Sequence, residues 1–354
     1  MHPEFGIIEG FYGKPWSWEA RAETVAFLAP HGYRFYIYAP KSDALLRERW
    51  KDDHPHDAAQ NLQMLAARCR ETGVRFGVGL SPFEAYRNFG AAEKNALSRK
   101  LSFFAALGVD DLAILFDDMK GDVPDLAARQ IEMVHWIAAH AGMARLVVCP
   151  TYYSDDPLLD RYFGHRPPNY LEEFGKQLDS KIDIFWTGEE VCSRAFSPGH
   201  LERVSAILRR KPVLWDNYPV NDGKRMSQFL HLRAFVGRPG SIAAHVAAHA
   251  VNPALQPVLT RIPALTLAES YGTGDAYEYS RAWKHAASAV LGPSLAELVQ
   301  RDISLFQDSG LEQLDITALE RLRARYRDID HPAAREIIAW LDGAYRFEGE
   351  LVAS

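Results

Sequence analysis

The chain has 354 residues, of which 47% are hydrophobic and 24% are charged, and its formal net charge is −6. This composition is typical of a globular protein with one large domain and a smaller appendage. The acidic balance argues against nucleic acid or an anionic membrane surface as a partner. No apolar run is long enough to span a bilayer, and no signal peptide is recognisable, so we expect a cytoplasmic protein.

Short apolar segments alternate with amphipathic helical segments through residue 275. Continuous apolar strands separated by helices indicate a parallel sheet that is buried on both faces. Eight such units predict a closed (β/α)8 TIM barrel. An open doubly wound sheet is the alternative, and it is disfavoured because no glycine-rich phosphate loop follows any strand. The predicted strands are 5–12, 34–40, 75–82, 112–119, 145–153, 182–188, 212–219 and 241–253, and in the last of them HVAAH (245–249) is equally compatible with a turn of helix.

The character of the sequence changes near residue 276. Four segments beyond this point have helical patterns, and none resembles a strand. We therefore predict a catalytic barrel over 1–275 and a helical C-terminal appendage over 276–354. The appendage is interpreted as a structural cap, and a partner surface that supports self-association is the alternative.

Polar and aromatic residues collect at the predicted ends of the strands. In a (β/α)8 barrel this pole carries the active site. Each residue alone could be a helix cap or a turn former, but seven such clusters at one pole predict a functional site. The clusters include Gly10, Lys41, Asp117, Asp118, Tyr153, Trp215, Asn217, Asp222 and Asn252.

The adjacent carboxylates Asp117 and Asp118 are the sharpest feature of the sequence. They follow the apolar run LAILF directly, where mutual repulsion and desolvation make two acids unfavourable unless they are used. A helix cap beside a solvated neighbour is one alternative, and a divalent-cation site is another. No further carboxylates gather at this strand end, and His245 and His249 lack the H-E-x-x-H pattern of a zinc site. No metal or cofactor is therefore predicted.

The adjacency of the two acids favours one kind of glycoside hydrolysis. Ordinary glycosidases place two carboxylates about 5 Å or 6.5–9.5 Å apart, on opposite sides of the scissile bond. Neighbouring residues cannot easily straddle a sugar in this way. A 2-acetamido sugar, however, supplies its own nucleophile, because its carbonyl oxygen can attack the anomeric carbon to form an oxazoline. One carboxylate can then orient the acetamide N–H while the other protonates the leaving oxygen and later activates water.

Several motifs occur together and in a fixed order over residues 5–270. In that order they resemble the catalytic domain of the O-GlcNAcase and bacterial N-acetylglucosaminidase family, glycoside hydrolase family eighty-four. The motifs are GIIEGFYGKPW (6–16), YAPK (38–41), LFDD (115–118), CPT with Tyr153, WTG (186–188), WDN with Asn221-Asp222, and Asn252-Pro253.

The resemblance implies roles around the reacting centre. Asp117 would hold the acetamide nitrogen, and Asp118 would be the general acid and base. Tyr153 and Asn217 would bind around the acetamido carbonyl, and Trp215 would help to form the wall of the N-acetyl pocket.

The resemblance also implies how the sugar ring is held. The Gly10 carbonyl and Lys41 would contact its hydroxyls, and Asp222 and Asn252 would bind those at the non-reducing end. The expected activity is that of a retaining exo-β-N-acetylglucosaminidase that acts on a GlcNAc-bearing glycoprotein or glycoconjugate. A hexosaminidase for cell-wall or glycosaminoglycan fragments and a non-catalytic GlcNAc-binding barrel are the alternatives.

Overall fold

The computed structural model describes residues 3–142 and 145–347. Eight strands form a closed barrel in which each strand pairs with its neighbour in the sequence and β1 pairs with β8. All eight pairings are parallel. The predicted (β/α)8 barrel is confirmed. The strands are β1 (Glu4–Glu9), β2 (Tyr33–Tyr38), β3 (Arg75–Leu80), β4 (Asp111–Leu115), β5 (Arg145–Cys149), β6 (Asp183–Trp186), β7 (Val213–Asp216) and β8 (Ala248–Val251).

The strands are buried on both faces, as their continuous apolar sequences require. All five residues of β4, for example, are buried, because one face packs inside the barrel and the other packs against helices. The predicted strands extended two to four residues too far at their C-terminal ends. The polar and aromatic residues there belong to the loops that follow the strands, and β4 ends two residues before Asp117.

Thirteen α-helices lie among the described residues. The first begins after Ser17, whose hydroxyl accepts a hydrogen bond of 3.1 Å from the Ala20 amide and caps the helix. The helices are α1 (Trp18–Leu28), α2 (His56–Glu71), α3 (Ala91–Leu107), α4 (Leu126–Ala141), α5 (Leu158–Phe163), α6 (Tyr170–Gln177), α7 (Pro198–Leu208), α8 (Gly223–Met226), α9 (Arg261–Thr273), α10 (Tyr279–Leu291), α11 (Pro293–Ser304), α12 (Ile316–Tyr326) and α13 (Pro332–Leu341). None of them is long and apolar enough to cross a membrane.

The sequence did not predict α5, α6, α8 or α9. The helix α9 follows β8 and buries polar residues such as Thr266 and Ser270 along with its apolar ones, so its sequence lacks a clear polar face. Near β8 both alternatives for the ambiguous segment are partly realised. A 3₁₀ helix covers Gly240–His245, and the strand begins at Ala248.

The C-terminal helices are fastened to loops of the barrel. The Glu336 carboxylate of α13 accepts hydrogen bonds of 2.8 and 3.0 Å from the amides of Val258 and Leu259. The indole of Trp283 in α10 donates to the Leu232 carbonyl over 2.8 Å. The appendage is therefore helical, as expected, and the domain boundary at residue 276 stays a prediction.

A buried ion pair fixes the end of β1. Both carboxylate oxygens of Glu9 accept hydrogen bonds from the Arg21 guanidinium, over 2.7 and 2.8 Å, and the Tyr36 hydroxyl donates a third over 2.5 Å. Both charged side chains are almost fully buried. Because Glu9 directly precedes Gly10, this pair anchors the backbone that enters the predicted site.

We expect the Arg21→Met variant to lose about 3–5 kcal/mol of unfolding free energy, because it leaves the Glu9 charge buried without its partner. Urea denaturation checks this expectation. The double variant Glu9→Leu/Arg21→Met serves as the control and should be less destabilised than the single variant, since no unpaired charge remains. A loss below about 1 kcal/mol in Arg21→Met would contradict the structural role of the pair.

Candidate active site

One open cavity lies at the C-terminal end of the barrel strands and has a volume of about 560 Å³ including its mouth. All nine residues predicted from the sequence line it. They come from the ends of six different strands, so only the closed barrel brings them together. The nine are Gly10, Lys41, Asp117, Asp118, Tyr153, Trp215, Asn217, Asp222 and Asn252.

Asp117 is buried and is held by a cation on one side only. Its Oδ2 forms a buried ion pair with the Lys41 ammonium, which the loop after β2 brings into the cavity. The Lys41 backbone amide donates to the Phe11 carbonyl over 3.1 Å and fixes this loop to the one after β1. Within the described part of the chain, Asp117 Oδ1 has no hydrogen-bond partner. Oδ2 of Asp117 is therefore paired, and Oδ1 is free to accept a hydrogen bond from a ligand.

Asp118 is half-buried and is held by two phenols. The Tyr12 hydroxyl donates to Oδ2 over 2.8 Å, and the Tyr153 hydroxyl donates to Oδ1 over 3.4 Å. Burial, followed by the charge of Asp118, raises the pKa of both phenols, so they remain protonated donors. The backbone of Asp118 is left-handed, with φ of 56°, which is uncommon for a residue with a side chain.

Trp215 forms one wall of the cavity and lies against Gly10. A Cβ atom at position 10 would lie 2.2 Å from Trp215 Cζ2, so only glycine fits there. The indole N–H donates to Asn217 Oδ1 over 3.0 Å, and Asn252 donates to the same oxygen over 2.9 Å. Asn217 itself donates to the Val191 carbonyl over 2.8 Å. This amide network fixes the orientation of the aromatic wall.

Asp222 lies opposite the acid pair and accepts a hydrogen bond of 2.7 Å from the Tyr12 amide. Burial, with a further contribution from the charge of Asp118, raises the pKa of Asp222 to about 6. Its carboxylate is therefore ionised at neutral pH and can accept strong hydrogen bonds from hydroxyl groups.

Asp216, between Trp215 and Asn217 in the sequence, supports the wall from behind and does not line the cavity. Arg238 donates to its two carboxylate oxygens over 2.6 and 2.8 Å, and His249 lies 3.0 Å from Oδ2. Burial opposes ionisation, but these partners outweigh it and hold the pKa of Asp216 below its ordinary value. His249 is thus part of a buried hydrogen-bond network. Among the described residues, no group of three or more His, Cys, Asp or Glu is placed to hold a metal.

Six lining residues were not assigned a role from the sequence. Three of them, Tyr12, Cys149 and Thr187, stand inside motifs that were recognised, but the motifs did not assign these three residues a role. The loop residues among the others have no sequence pattern that would have singled them out. The six are Tyr12, Cys149, Thr187, Val191, Cys192 and Val220.

A closed parallel barrel with adjacent acids and an aromatic wall at the C-terminal ends of its strands defines a glycosidase-type (β/α)8 protein. Comparison with known families agrees. The model of the beta-N-acetylglucosaminidase family (NAGidase) matches residues 5–304, and the chain belongs to this family.

The chain is similar to proteins that are named as O-GlcNAcases and as an O-GlcNAc hydrolase. The chain is 31% identical over 234 residues to the protein O-GlcNAcases of Rattus norvegicus and Mus musculus; the match covers 64% of this chain but only 25% of each rodent protein. A solved structure of a mutant Thermobaculum terrenum O-GlcNAc hydrolase superposes with a TM-score of 0.80 at 28% identity. That superposition covers 96% of this chain and 80% of the other.

Gly10→Ala should strongly reduce kcat/KM on an aryl N-acetylglucosaminide, because the new methyl group displaces the Trp215 ring. Gly199→Ala is the matched control, since a Cβ there has no atom within 4 Å. We expect the control to keep full activity. If Gly10→Ala has the same kcat/KM as the control, the ring does not depend on this contact.

The pKa of Asp222 predicts a pH effect on kcat/KM. Below about pH 6 the carboxyl becomes protonated and accepts weaker hydrogen bonds, so kcat/KM should fall as the pH decreases through this value. Asp222→Asn is uncharged at every pH, so its profile should lose this decline or move it to lower pH, at a lower overall rate. If kcat/KM of the variant still falls at low pH with an unchanged midpoint, a group other than Asp222 causes the decline.

Proposed function

We propose that this chain is a retaining exo-β-N-acetylglucosaminidase that removes terminal β-linked GlcNAc by substrate-assisted catalysis. The observation that carries the proposal is the unequal environment of the two adjacent acids. Asp117 is paired with Lys41 through one oxygen and has an open acceptor at the other, whereas Asp118 is held by two phenols at the mouth side of the same cavity.

The open Asp117 oxygen suits an acetamide N–H of the substrate. A carboxylate that accepts this N–H stabilises the positive charge that develops on the acetamide when its carbonyl oxygen attacks the anomeric carbon. Tyr153 and Asn217 would bind around that carbonyl, and Trp215 would pack against the N-acetyl methyl group. The attack forms the bond from the carbonyl oxygen to the anomeric carbon and breaks the bond to the leaving oxygen.

Asp118 would act as the general acid in this first step by transferring its proton to the leaving oxygen. In the second step its carboxylate would take a proton from water, which attacks the anomeric carbon and opens the oxazoline. The two displacements together retain the β configuration. A binding protein without turnover would need no proton donor at this position.

The far wall of the cavity supports exo-action. Asp222 and Asn252 would bind the hydroxyls at the non-reducing end, and Lys41 and the Gly10 carbonyl would contact the others. With these groups at its end, the cavity would hold one terminal sugar and would leave no path for a continuing chain.

A larger groove adjoins the sugar cavity and offers room for part of a large substrate. This groove has a volume of about 2520 Å³ including open solvent, and it shares Val191, Cys192 and Asn217 with the sugar cavity. A GlcNAc-bearing glycoprotein or glycoconjugate therefore fits the proposal, in keeping with the names of the rodent and Thermobaculum relatives. A cytoplasmic location, which was expected from the sequence, and self-association through the helical appendage, which was the alternative to a structural cap, remain proposals.

The proposed function is tested by comparing aryl N-acetylglucosaminide, aryl N-acetylgalactosaminide and aryl glucoside in the presence of EDTA. We expect turnover of the N-acetylglucosaminide and essentially none of the glucoside, because only the acetamido sugar carries the nucleophile. Comparable turnover of the glucoside would contradict the mechanism. Loss of activity in EDTA, restored by added metal, would revive the metal-site alternative.

The two acids should respond differently to the leaving group. Asp118→Asn removes the proton donor. The rate on substrates with a poor leaving group should therefore fall at least about a hundredfold. The first step of the 4-nitrophenyl substrate should slow far less, because its leaving group needs little protonation. Asp117→Asn weakens oxazoline formation, which every substrate needs, so its loss should be similar for all leaving groups. A strong leaving-group dependence in Asp117→Asn but not in Asp118→Asn would show that Asp117 is the general acid and that the two roles are reversed. If neither variant loses about a hundredfold, the pair is not the catalytic machinery.

A further inference from the structure

Arg47 is a buried cation beside Asp118, and the proposed mechanism gives it no role. Arg47 follows the 3₁₀ turn Ala44–Leu46 in the loop after β2, and only 6% of its surface is exposed. Its one carboxylate partner among the described residues is Glu48, at 3.3 Å, whose side chain is 57% exposed. Such an exposed partner contributes little, so the ion pair does not explain why Arg47 is buried.

Arg47 contacts the backbone of the proposed general acid. Its Nη2 donates to the Asp118 carbonyl oxygen over 3.2 Å. Asp118 is the residue with φ of 56°, and a left-handed backbone is unfavourable for a residue with a side chain. A charged hydrogen bond to this peptide group favours the conformation that turns the carboxyl into the cavity.

The guanidinium also faces the charged groups of the site. Burial works against its charge, but Tyr12, Asp118 and Asp117 outweigh this effect and raise the pKa of Arg47. Its central carbon lies 6.0 Å from the centroid of the Tyr12 ring and 5.2 Å from that of Phe83. Arg47 is therefore a second positive charge beside the acid pair, in addition to Lys41.

The main chain that carries Arg47 is itself held in place. The Ser81 amide, after β3, donates to the Leu46 carbonyl over 2.8 Å. The Lys100 ammonium, from α3, donates to the Leu45 carbonyl over 3.2 Å. The guanidinium is thus positioned by two neighbouring elements and does not depend on the substrate.

We propose that Arg47 is a positioning residue for Asp118: it holds the left-handed turn so that the carboxyl points at the leaving oxygen. The inference rests on the proposed role of Asp118 as general acid. Proton transfer requires close alignment, so loss of Arg47 should be most damaging where the leaving group needs a proton. A residue that only stabilised the fold would affect all substrates alike.

The test compares Arg47→Met and Arg47→Lys on phenyl and 4-nitrophenyl N-acetylglucosaminide. We expect Arg47→Met to lose at least about ten times more kcat on the phenyl substrate than on the nitrophenyl one, with KM changed by less than about threefold. Arg47→Lys keeps the charge and should recover part of the phenyl activity. The control Arg49→Met changes an arginine of the same loop whose side chain is 66% exposed, and it should behave like the wild type.

Equal losses on both substrates in Arg47→Met and Arg47→Lys, together with a lowered Tm, would overturn the inference and leave Arg47 a structural residue. If Arg47→Met does not fold, the leaving-group dependence of Arg47→Lys decides in the same way. A wild-type protein inactive on both substrates would overturn the proposed function, and the inference with it. An active wild type with equal losses in the variants overturns the inference alone.

Discussion

The arrangement of the site depends on two like charges that are held side by side just after the buried strand β4. Asp117 and Asp118 would repel each other and resist burial, and the fold compensates them in different ways. Lys41 pairs with Asp117, while Tyr12 and Tyr153 donate to Asp118. This asymmetry gives two chemically similar side chains different environments, and the proposed mechanism assigns them different roles.

The rest of the barrel preserves this asymmetry. The Glu9–Arg21 pair fixes the end of β1, and therefore the loop that carries Gly10 and Tyr12. On the opposite side, Arg238 and His249 hold Asp216 behind the aromatic wall. Each of these charges is paired inside the protein, so none of them competes for the polar groups that line the cavity.

The sequence predicted the barrel from local signals, and it predicted nine of the fifteen lining residues from the clusters at the strand ends together with the family resemblance. Apolar strands of regular spacing indicate the fold, and polar residues that follow a strand must lie at one pole of it. Other features leave no such signal. Arg47 stands in the charged segment RERWKDD, which is typical of a solvated loop, and its contact with Asp118 spans 71 residues. The partners of Asp216 and the buried polar face of α9 likewise depend on tertiary packing.

The central claim, that the substrate's own acetamide is the nucleophile, is tested most directly by fluorination of the N-acetyl group. Aryl N-acetylglucosaminides with zero to three fluorines on the acetyl methyl group would be compared by kcat/KM. Each fluorine weakens the carbonyl oxygen as a nucleophile, so the account predicts a steep and progressive fall in rate across the series. A rate that is independent of fluorine number would show that the protein supplies the nucleophile, and it would contradict the roles given to Asp117 and Asp118.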